Sequence, residues 1–218
     1  MATFTLDAIQ SMPQRFRANF INSLSGFKSA NLIGTISKEG QTNLAIISSA
    51  FHIGAEPAMM GFISRPHSVD RHTLENVINV GYYTLNHVTT SIIEPAHQTS
   101  ARYPKEVSEF AATGLSELWV DGYAAPFVKE SSVRVGLEYK EHHTLLNNTV
   151  MVIGSILHVE VPDNSIHEDG LVDMSITETV AVSGLDTYHS PKKVTRLAYA
   201  KPNTAPEIIE SSIREQID

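Results

Sequence analysis

Residues 31–48 read NLIGTISKEGQTNLAIIS, and this stretch predicts a β-hairpin. Two runs of mainly aliphatic and β-branched residues, 31–37 and 42–48, flank the turn-like segment KEGQ at 38–41. Runs of this length around a glycine-containing turn are typical of paired antiparallel strands, because Gly40 can adopt the positive φ that such a turn needs. An antiparallel hairpin is therefore the starting point of the expected fold.

Further strand-like segments follow at short spacing, with few long helical patterns between them. They are Ala58–Ile63, Gly81–Val88, Val133–Tyr139, Val150–Val161 and Met174–Val182. About six or seven strands without a helix between each pair disfavour a parallel α/β sheet and favour a closed or partly open antiparallel barrel. The expected fold class is mainly β with flanking helices.

Amphipathic helices are predicted near both ends of the chain, over Pro13–Ser25 and Pro206–Ile217, because apolar residues recur there at helical spacing. Ser11 is the expected N-cap of the first helix, with Gln14 three residues later in the capping-box position. A third, short helix is expected to begin near Arg71. The two terminal helices either cover the barrel or form a dimer contact.

The whole chain, 1–218, is expected to form one domain. Its 218 residues suit one large domain or two small ones, and neither an internal repeat nor a low-complexity linker marks a boundary. The barrel core is expected over about 27–190 and the C-terminal helix over 205–217.

Composition excludes several function classes. With 16 Lys and Arg against 24 Asp and Glu, the net charge of −8 argues against nucleic acid and anionic membrane as partners, since both are bound through clustered cations. The absence of cysteine excludes disulfides, cysteine-ligated zinc, iron–sulfur clusters and a thiol nucleophile. No signal-like segment and no run near the ~20 apolar residues of a membrane span is visible, so a cytoplasmic location is expected.

The end of the second hairpin strand is the first candidate site. Ser48, Ser49 and Ala50 interrupt an otherwise apolar run that continues to Phe51. Small side chains at a strand end allow a flat ligand to reach backbone N–H and C=O groups. A strand that simply runs into a polar turn explains the same pattern.

The segment 64–73, SRPHSVDRHT, is the second candidate site. Its cationic side chains are Arg65, His67, Arg71 and His72. They face one acid, Asp70, and they precede a predicted helix whose first turn holds the Thr73 hydroxyl. Guanidinium groups, free N–H groups of a helix start and a hydroxyl suit a phosphate monoester. A solvated loop with Asp70 as an ordinary helix cap is the alternative.

Other chemistries find no support in the sequence. His-Glu-x-x-His, Gly-x-Ser-x-Gly, Gly-x-Gly-x-x-Gly and phosphate-loop motifs are absent, and no carboxylates cluster at metal spacing. We therefore expect no metal site and no catalytic side chain of the usual acid–base or nucleophilic kinds.

In their order, these segments resemble the flavin reductase-like family, which includes flavoredoxin and whose FMN-binding split barrels work as dimers. The resemblance covers roughly residues 12–190. It rests on the following segments: Asn43–Ser48 with Glu56–Met59, Gly61–Pro66 with His72–Asn76, Gly81–Asn86, Thr99–Pro104, Ser108–Phe110, Gly114–Leu115 and Ala125–Ser131.

The resemblance implies an FMN-binding split barrel that transfers hydride from NAD(P)H to bound FMN, in some members on behalf of a partner oxygenase or of iron. It implies no catalytic side chain, because the flavin carries the reaction. The expected FMN-binding residues are Asn43, Ser48, Ser49, Ala50, Phe51, Ser64, Arg65, Arg71, His72, Thr73 and Asn76. A homodimer is also expected, with a small-molecule electron acceptor or a partner oxygenase still to be identified.

Within this set, the expected roles differ. Arg65, Arg71 and Thr73 are expected to neutralise the FMN phosphate, whereas Ser48 and Ser49 are expected to position the flavin ring. Asn43 and Asn76 are expected to brace the site. Tyr188 is expected either at the rim of the pocket or as an aromatic cover of the core.

Three alternatives remain open at this point. An FMN-binding electron carrier without NAD(P)H activity would use the same residues. A pyridoxamine-phosphate-oxidase-like enzyme would share the barrel type, but no second basic cluster is seen in the sequence. A β-barrel interaction protein would have no small ligand.

Overall fold

The computed structural model describes residues 1–66, 72–210 and 212–214. Its described residues form twelve strands, five α-helices and two 3₁₀ turns at Thr90–Ile92 and Asp163–Ser165. The helices are α1 Leu6–Ser11, α2 Gln14–Ser23, α3 His72–Val80, α4 Ile93–Gln98 and α5 Glu109–Thr113. The strands are β1 Lys28–Ser29, β2 Asn31–Ile36, β3 Thr42–Ile47, β4 Phe51–Ala55, β5 Ala58–Ser64, β6 Tyr82–His87, β7 Glu117–Leu118, β8 Phe127–Val128, β9 Arg134–Thr144, β10 Val150–Glu160, β11 Ala181–Ser183 and β12 Thr187–His189.

Seven strands form one antiparallel sheet in the order β3-β2-β6-β9-β10-β5-β4. The two edge strands, β3 and β4, are consecutive in the chain and are joined by residues 48–50 alone. Three residues span about 10 Å, whereas the edges of a flat seven-stranded sheet would lie about 29 Å apart at ~4.8 Å per strand. The sheet must therefore curl into a barrel, as expected, and its fold class is mainly β.

The last residues of β5 extend past the edge strand β4, and here the barrel is open between β5 and the end of β3. The side chain of Ser49, just after β3, joins the two sides of this seam. The Ser49 hydroxyl donates to the Ile63 carbonyl at 2.8 Å and accepts from the Ile63 N–H at 3.2 Å. This one hydroxyl takes the place of a ladder of backbone hydrogen bonds. The seam is the part of the barrel wall that a ligand can reach.

The β2 strand is buried on both faces and divides the core in two. Because successive side chains of a strand point to opposite faces, Leu32 and Ile33 lie in different apolar clusters. Ile33 packs inside the barrel with Phe62 and Tyr83. Leu32 packs outside it with residues of α4 and α5, and so the helices are held against the outer face of β2 and β3.

The chain ends differ from the sequence expectation. Ser11 closes α1, which was not predicted, and it does not cap α2, whose N-cap is Pro13 without a side-chain hydrogen bond. The helix expected over 205–217 is wrong for its described part, because residues 205–210 and 212–214 are not helical. Their backbone bonds leave the segment: Ile209 N–H donates to Arg196 O at 3.0 Å.

Two strand predictions were also incomplete. Of Met174–Val182, only Ala181 and Val182 lie in a strand, because turns around Asp173 satisfy the preceding backbone. β4 was missed, because its residues 51–55 alternate weakly and are mostly exposed. Tertiary pairing with β5 makes it a strand.

Candidate functional site

A cavity of about 1140 Å³ lies where the outer edge of β3 faces the end of β5. Its walls come from β3 and the residues after it, from 62–65 with the start of α3, from 97–105, and from the β11–β12 hairpin. Typical ligand pockets measure ~300–1,000 Å³. The cavity therefore has room for a nucleotide-sized ligand together with a second small molecule.

The outward N–H groups of β3 are used in a regular pattern. Leu44 N–H donates to the Glu109 carboxylate at 2.9 Å, and Ile46 N–H donates to the Thr99 hydroxyl at 2.9 Å. By the two-residue period of a strand, Ser48 N–H is the next group on this side. It has no hydrogen-bond partner among the described residues, and Ser48 lines the cavity. A ligand that lies along β3 therefore finds a free donor at this position.

Asn43 is the centre of a polar network at the other end of β3. Its side-chain oxygen accepts hydrogen bonds from Thr73 at 2.8 Å and from Thr35 at 3.3 Å. Its side-chain nitrogen donates to Glu109 at 2.8 Å, and Asn76 donates to the Thr35 hydroxyl at 3.1 Å. The network ties the first turn of α3 to β2 and β3, and so it fixes the start of α3 at the cavity wall.

Glu109 is a carboxylate held inside this network. The residue is 6% exposed. Burial raises its pKa above the ordinary carboxyl value, although the N–H of Leu44 and the amide of Asn43 work against that rise. Glu109 thus accepts the hydrogen bond that a neighbouring strand would otherwise accept at the edge of β3. Its carboxyl group retains a proton more readily than that of an exposed glutamate.

Cationic groups from separate segments line the cavity. They are Arg65, Arg102 and Lys105, and the His72 ring lines the cavity as well. Arg65 lies near Lys28, whose pKa is lowered by burial and by the positive charge of Arg65. The acids Glu75, Glu109 and Asp186 line the same cavity, so its charge is mixed, with the cations spread along its length.

Comparison with known proteins assigns the family. Residues 24–177 match the family model described as the flavin reductase like domain. The chain belongs to the flavin reductase-like family. That match covers most of the chain and confirms the resemblance seen in the sequence.

Solved structures agree with a flavin reductase-like fold. A split-barrel-domain protein from Shewanella frigidimarina NCIMB 400, proposed to be a flavin reductase, is 51% identical, with a TM-score of 0.89 over 92% of this chain and 100% of that one. Nitrilotriacetate monooxygenase component B from Bacillus cereus is 17% identical, with a TM-score of 0.79 over 90% and 98%. An FMN-binding protein from Thermus thermophilus is 15% identical, with a TM-score of 0.71 over 90% and 99%. The last two show the shared fold, and the split barrel expected from the sequence is confirmed.

In this flavin reductase-like domain, most of the residues proposed from the sequence meet at one cavity. Those that line it are Asn43, Ser48, Ser49, Ser64, Arg65, His72 and Thr73. Asn76 lies behind the wall, bonded to Thr35. Ala50 and Phe51 lie outside the lining, and the Phe51 ring packs over Gly61. Arg71, like His67 and Asp70, lies outside the described residues.

The structure also changes the role expected for Thr73. The Thr73 hydroxyl donates to Asn43, so it is not free to donate to a phosphate in this arrangement. Because Thr35 also donates to the same oxygen of Asn43, that oxygen keeps a partner if Thr73 turns toward a ligand. Thr73 can thus change partner without leaving the Asn43 oxygen unsatisfied.

Sequence reasoning missed several residues of the site. Glu109 and Thr99 complete the edge of β3, and His97 and Arg102 line the cavity from a segment about 50 residues away. Thr99, Arg102 and Glu109 lie in segments that carry the family resemblance, but no local pattern assigns them these roles, because each acts at a strand that is remote in the chain. Tyr188 was expected at the rim of the pocket or as a cover of the core, and the structure places it in the cavity lining beside His97.

The described residues contain neither a metal-binding cluster nor a membrane-spanning helix. Within 1–66, 72–210 and 212–214, no group of three His, Cys, Asp or Glu residues is placed to hold a metal ion. Of the helices in the described part of the chain, none has the length and apolar character needed to cross a lipid bilayer.

Proposed function

We propose that this chain is an FMN-dependent NAD(P)H oxidoreductase. The observation that carries the proposal is the Ser48 N–H just after β3, which has no hydrogen-bond partner among the described residues and lies at the wall of a cavity lined by cations from several segments. A flat heteroaromatic ring with hydrogen-bond acceptors fits against such an edge, and a phosphate fits the start of α3. Membership of the flavin reductase-like family supports a flavin as this ligand.

Different residues would bind the two ends of FMN. Ser48 N–H and the side chain of Ser48 would hold the ring, while Arg65, His72 and Thr73 would bind the phosphate. Asn43 would keep Thr73, and with it the first turn of α3, in place by accepting the Thr73 hydrogen bond, while the bond from Asn43 to Glu109 holds the Asn43 amide. The residues present therefore fit FMN at its two ends.

FMN supplies hydride acceptance and donation, so the protein needs no side-chain nucleophile for that step. The chain's work is to bind, orient and exclude water. The Glu109 and Thr99 acceptors keep β3 straight at the cavity wall without a neighbouring strand. The segment 97–105 covers the cavity from the opposite side.

We also propose NAD(P)H as the electron donor. Support comes from the volume of the cavity, which at about 1140 Å³ exceeds the range of an ordinary single-ligand pocket. Arg102 and Lys105 on the 97–105 wall offer positive charge for the anionic part of a dinucleotide. The final electron acceptor is a small molecule or a partner oxygenase.

A homodimer is proposed as the assembled form. The residues of α1 and α2 are not buried, and Phe16 and Leu24 are 56% and 65% exposed. Phe27, just after α2, is 69% exposed. Covering such an apolar surface with a second copy would remove it from water. Sedimentation analysis tests this: a monomer at micromolar concentration would contradict it.

The test of the cofactor uses the visible spectrum and a backbone variant. The purified chain, titrated with FMN, is expected to bind it and to oxidise NADH or NADPH. Ser48→Pro removes the N–H at an edge position that tolerates proline, whereas Ser48→Ala keeps it. We expect the proline variant to bind FMN about five- to tenfold more weakly than the alanine variant.

Two outcomes would contradict the proposal. A chain that gains no FMN on titration has no flavin function. A chain that binds FMN tightly but oxidises neither nicotinamide is an electron carrier, and not a reductase. Equal FMN affinity of Ser48→Pro and Ser48→Ala would remove Ser48 N–H from the proposed site.

A further inference from the structure

Tyr188 and His97 form a pair that FMN binding alone does not explain. Tyr188 lies on β12 and His97 in the last turn of α4, and both line the cavity. The Tyr188 hydroxyl lies 2.9 Å from His97 Nδ1, and the two rings meet edge to face with centroids 5.8 Å apart. The pair stands on the cavity wall formed by the 97–105 segment and the β11–β12 hairpin.

The position of the Tyr188 hydroxyl is set by the hairpin that carries it. Lys28 Nζ donates to the carbonyl of Gly184 in the β11–β12 turn at 2.7 Å. Across the hairpin, the Ser183 hydroxyl and His189 Nε2 lie 2.8 Å apart. The Tyr188 ring packs against the outer apolar cluster together with Ile46 of β3. Tyr188 therefore stands beside the strand along which the flavin is proposed to lie.

The pair has the properties of a proton donor with a route to solvent. Burial, with a contribution from the negative charge of Asp186, raises the pKa of Tyr188, so its hydroxyl keeps its proton at neutral pH. His97 is exposed, so protons exchange between its ring and water. A half-buried hydroxyl that is bonded to a solvent-exposed imidazole can give a proton and regain it.

We propose that Tyr188 donates a proton to an organic acceptor, an α,β-unsaturated carbonyl compound, that is reduced in this cavity. The inference rests on the proposed function, which supplies the hydride from NAD(P)H by way of FMN. A metal ion or a one-electron carrier would need no such donor. A conjugated carbonyl compound needs both a hydride and a proton; bound FMN would supply the hydride, and Tyr188 lines the same cavity.

The proposed reduction begins with hydride transfer to the carbonyl compound. The hydride forms a new C–H bond at the β-carbon, and the C=C electron pair shifts to give an enolate. The Tyr188 O–H bond breaks as its proton bonds to the enolate oxygen, and the resulting enol converts to the saturated carbonyl in water. His97 returns a proton to the Tyr188 oxygen and takes one from water. NAD(P)H and one proton are consumed for each carbonyl compound reduced.

The experiment compares two acceptors with the FMN-loaded chain. N-ethylmaleimide is a conjugated carbonyl compound, and it can be used because the chain contains no cysteine to alkylate. Ferricyanide takes electrons without a proton. Tyr188→Phe is expected to lower turnover with N-ethylmaleimide at least ~100-fold and to leave ferricyanide reduction unchanged. Tyr139→Phe is the matched control, because the Tyr139 hydroxyl also pairs with a histidine, His142 Nδ1 at 2.6 Å, but Tyr139 lies outside the cavity lining. This variant is expected to reduce both acceptors like the unaltered chain.

A binding measurement without NAD(P)H gives an independent result. 4-Nitrophenolate imitates the enolate oxygen, and its absorbance reports binding. We expect Tyr188→Phe to bind it about tenfold more weakly, with no change in Tyr139→Phe. His97 is a positioning residue: His97→Ala should lower kcat for N-ethylmaleimide with little change in KM, and added imidazole should restore it.

The outcomes distinguish failure of the Tyr188 inference from failure of the proposed oxidoreductase function. Reduction of ferricyanide but not of N-ethylmaleimide by the unaltered chain would overturn this inference and leave the oxidoreductase proposal intact. Equal turnover or equal phenolate binding by Tyr188→Phe and Tyr139→Phe would overturn it too. Failure to reduce ferricyanide with NAD(P)H would overturn the proposed function, and this inference with it.

Discussion

Glu109 offers a sharp test of how the site is built, because two substitutions there should behave in opposite ways. Both of its strong hydrogen bonds, from Leu44 N–H and from the Asn43 amide, end on the same carboxylate oxygen, Oε2. A glutamine can place its carbonyl oxygen at that position and keep both bonds. An alanine leaves both donors without an acceptor.

The magnitude follows from the two lost bonds. A buried donor without a partner costs ~1–3 kcal/mol, and the Asn43 amide at the cavity wall can recover part of this from water. We expect Glu109→Ala to lower the free energy of unfolding by about 3 kcal/mol. At ~2–4 °C per kcal/mol for a chain of this size, Tm should fall by about 6–12 °C. Glu109→Gln should stay within about 1 kcal/mol of the unaltered chain.

The pH dependence adds a second signature. The pKa of Glu109 is raised in the folded chain, so the folded state holds this proton more tightly than the unfolded state does. Its contribution to stability is therefore present below the ordinary carboxyl pKa and is lost as pH rises through the raised value. Relative to Glu109→Gln, the unaltered chain should be more stable near pH 4 than near pH 8.

Urea denaturation followed by circular dichroism at pH 4, 6 and 8 would measure all three proteins. Equal destabilisation by alanine and glutamine would refute the reasoning, because it would show that the hydrogen bonds to Oε2 do not hold β3. A stability difference between the unaltered chain and Glu109→Gln that does not change with pH would refute the electrostatic part.

Three other predictions use different parts of the fold. Gly34→Ala should cost at least about 2 kcal/mol, because a Cβ there would overlap a backbone carbonyl, whereas Gly54→Ala, whose nearest neighbour would lie 3.5 Å away, should melt like the parent in thermal scans. Tyr83→Phe should be neutral or stabilising by about 1 kcal/mol in urea, since the buried Tyr83 hydroxyl has no partner among the described residues; a marked loss would show a partner that was overlooked. Asp173→Asn should speed tryptic cleavage of the C-terminal segment by releasing Lys193. Hydrogen bonds and Lys193 hold the pKa of Asp173 far below its usual range, so the stability that it contributes at neutral pH should begin to fall below the ordinary aspartate pKa, and the difference between parent and variant should shrink steadily as the solution is made more acidic.

Strands with strong local patterns could be predicted from the sequence. The hairpin of 31–48 has two aliphatic runs around a glycine turn, and the structure pairs 31–36 with 42–47 in register. The C-terminal segment misled the prediction because Ile209 and Ile213 follow a helical spacing. In the fold, the backbone groups of this segment instead pair with residues around Arg196 and with residues 166–168, which supply the hydrogen bonds that a helix would otherwise supply.

The residues of the site also differ in whether a local sequence pattern could predict them. The Ser48–Ser49 strand end and the Arg65–Thr73 segment stand out locally, and their described residues meet at the cavity. Glu109, Thr99 and Tyr188 could not be assigned, because their parts depend on contact with β3 or with each other's segments, 53 to 91 residues away in the chain.

The sequence by itself determined the β-rich class, the first hairpin and the two segments that resemble flavin reductases, since each depends on neighbours within about ten residues. Only the tertiary structure decided that the edges of the sheet meet, because barrel closure depends on pairing between distant strands. It also decided which side chains bond to the outer edge of β3 and that Tyr188 meets His97 at the cavity wall. These depend on where remote segments pack, and no local pattern encodes that.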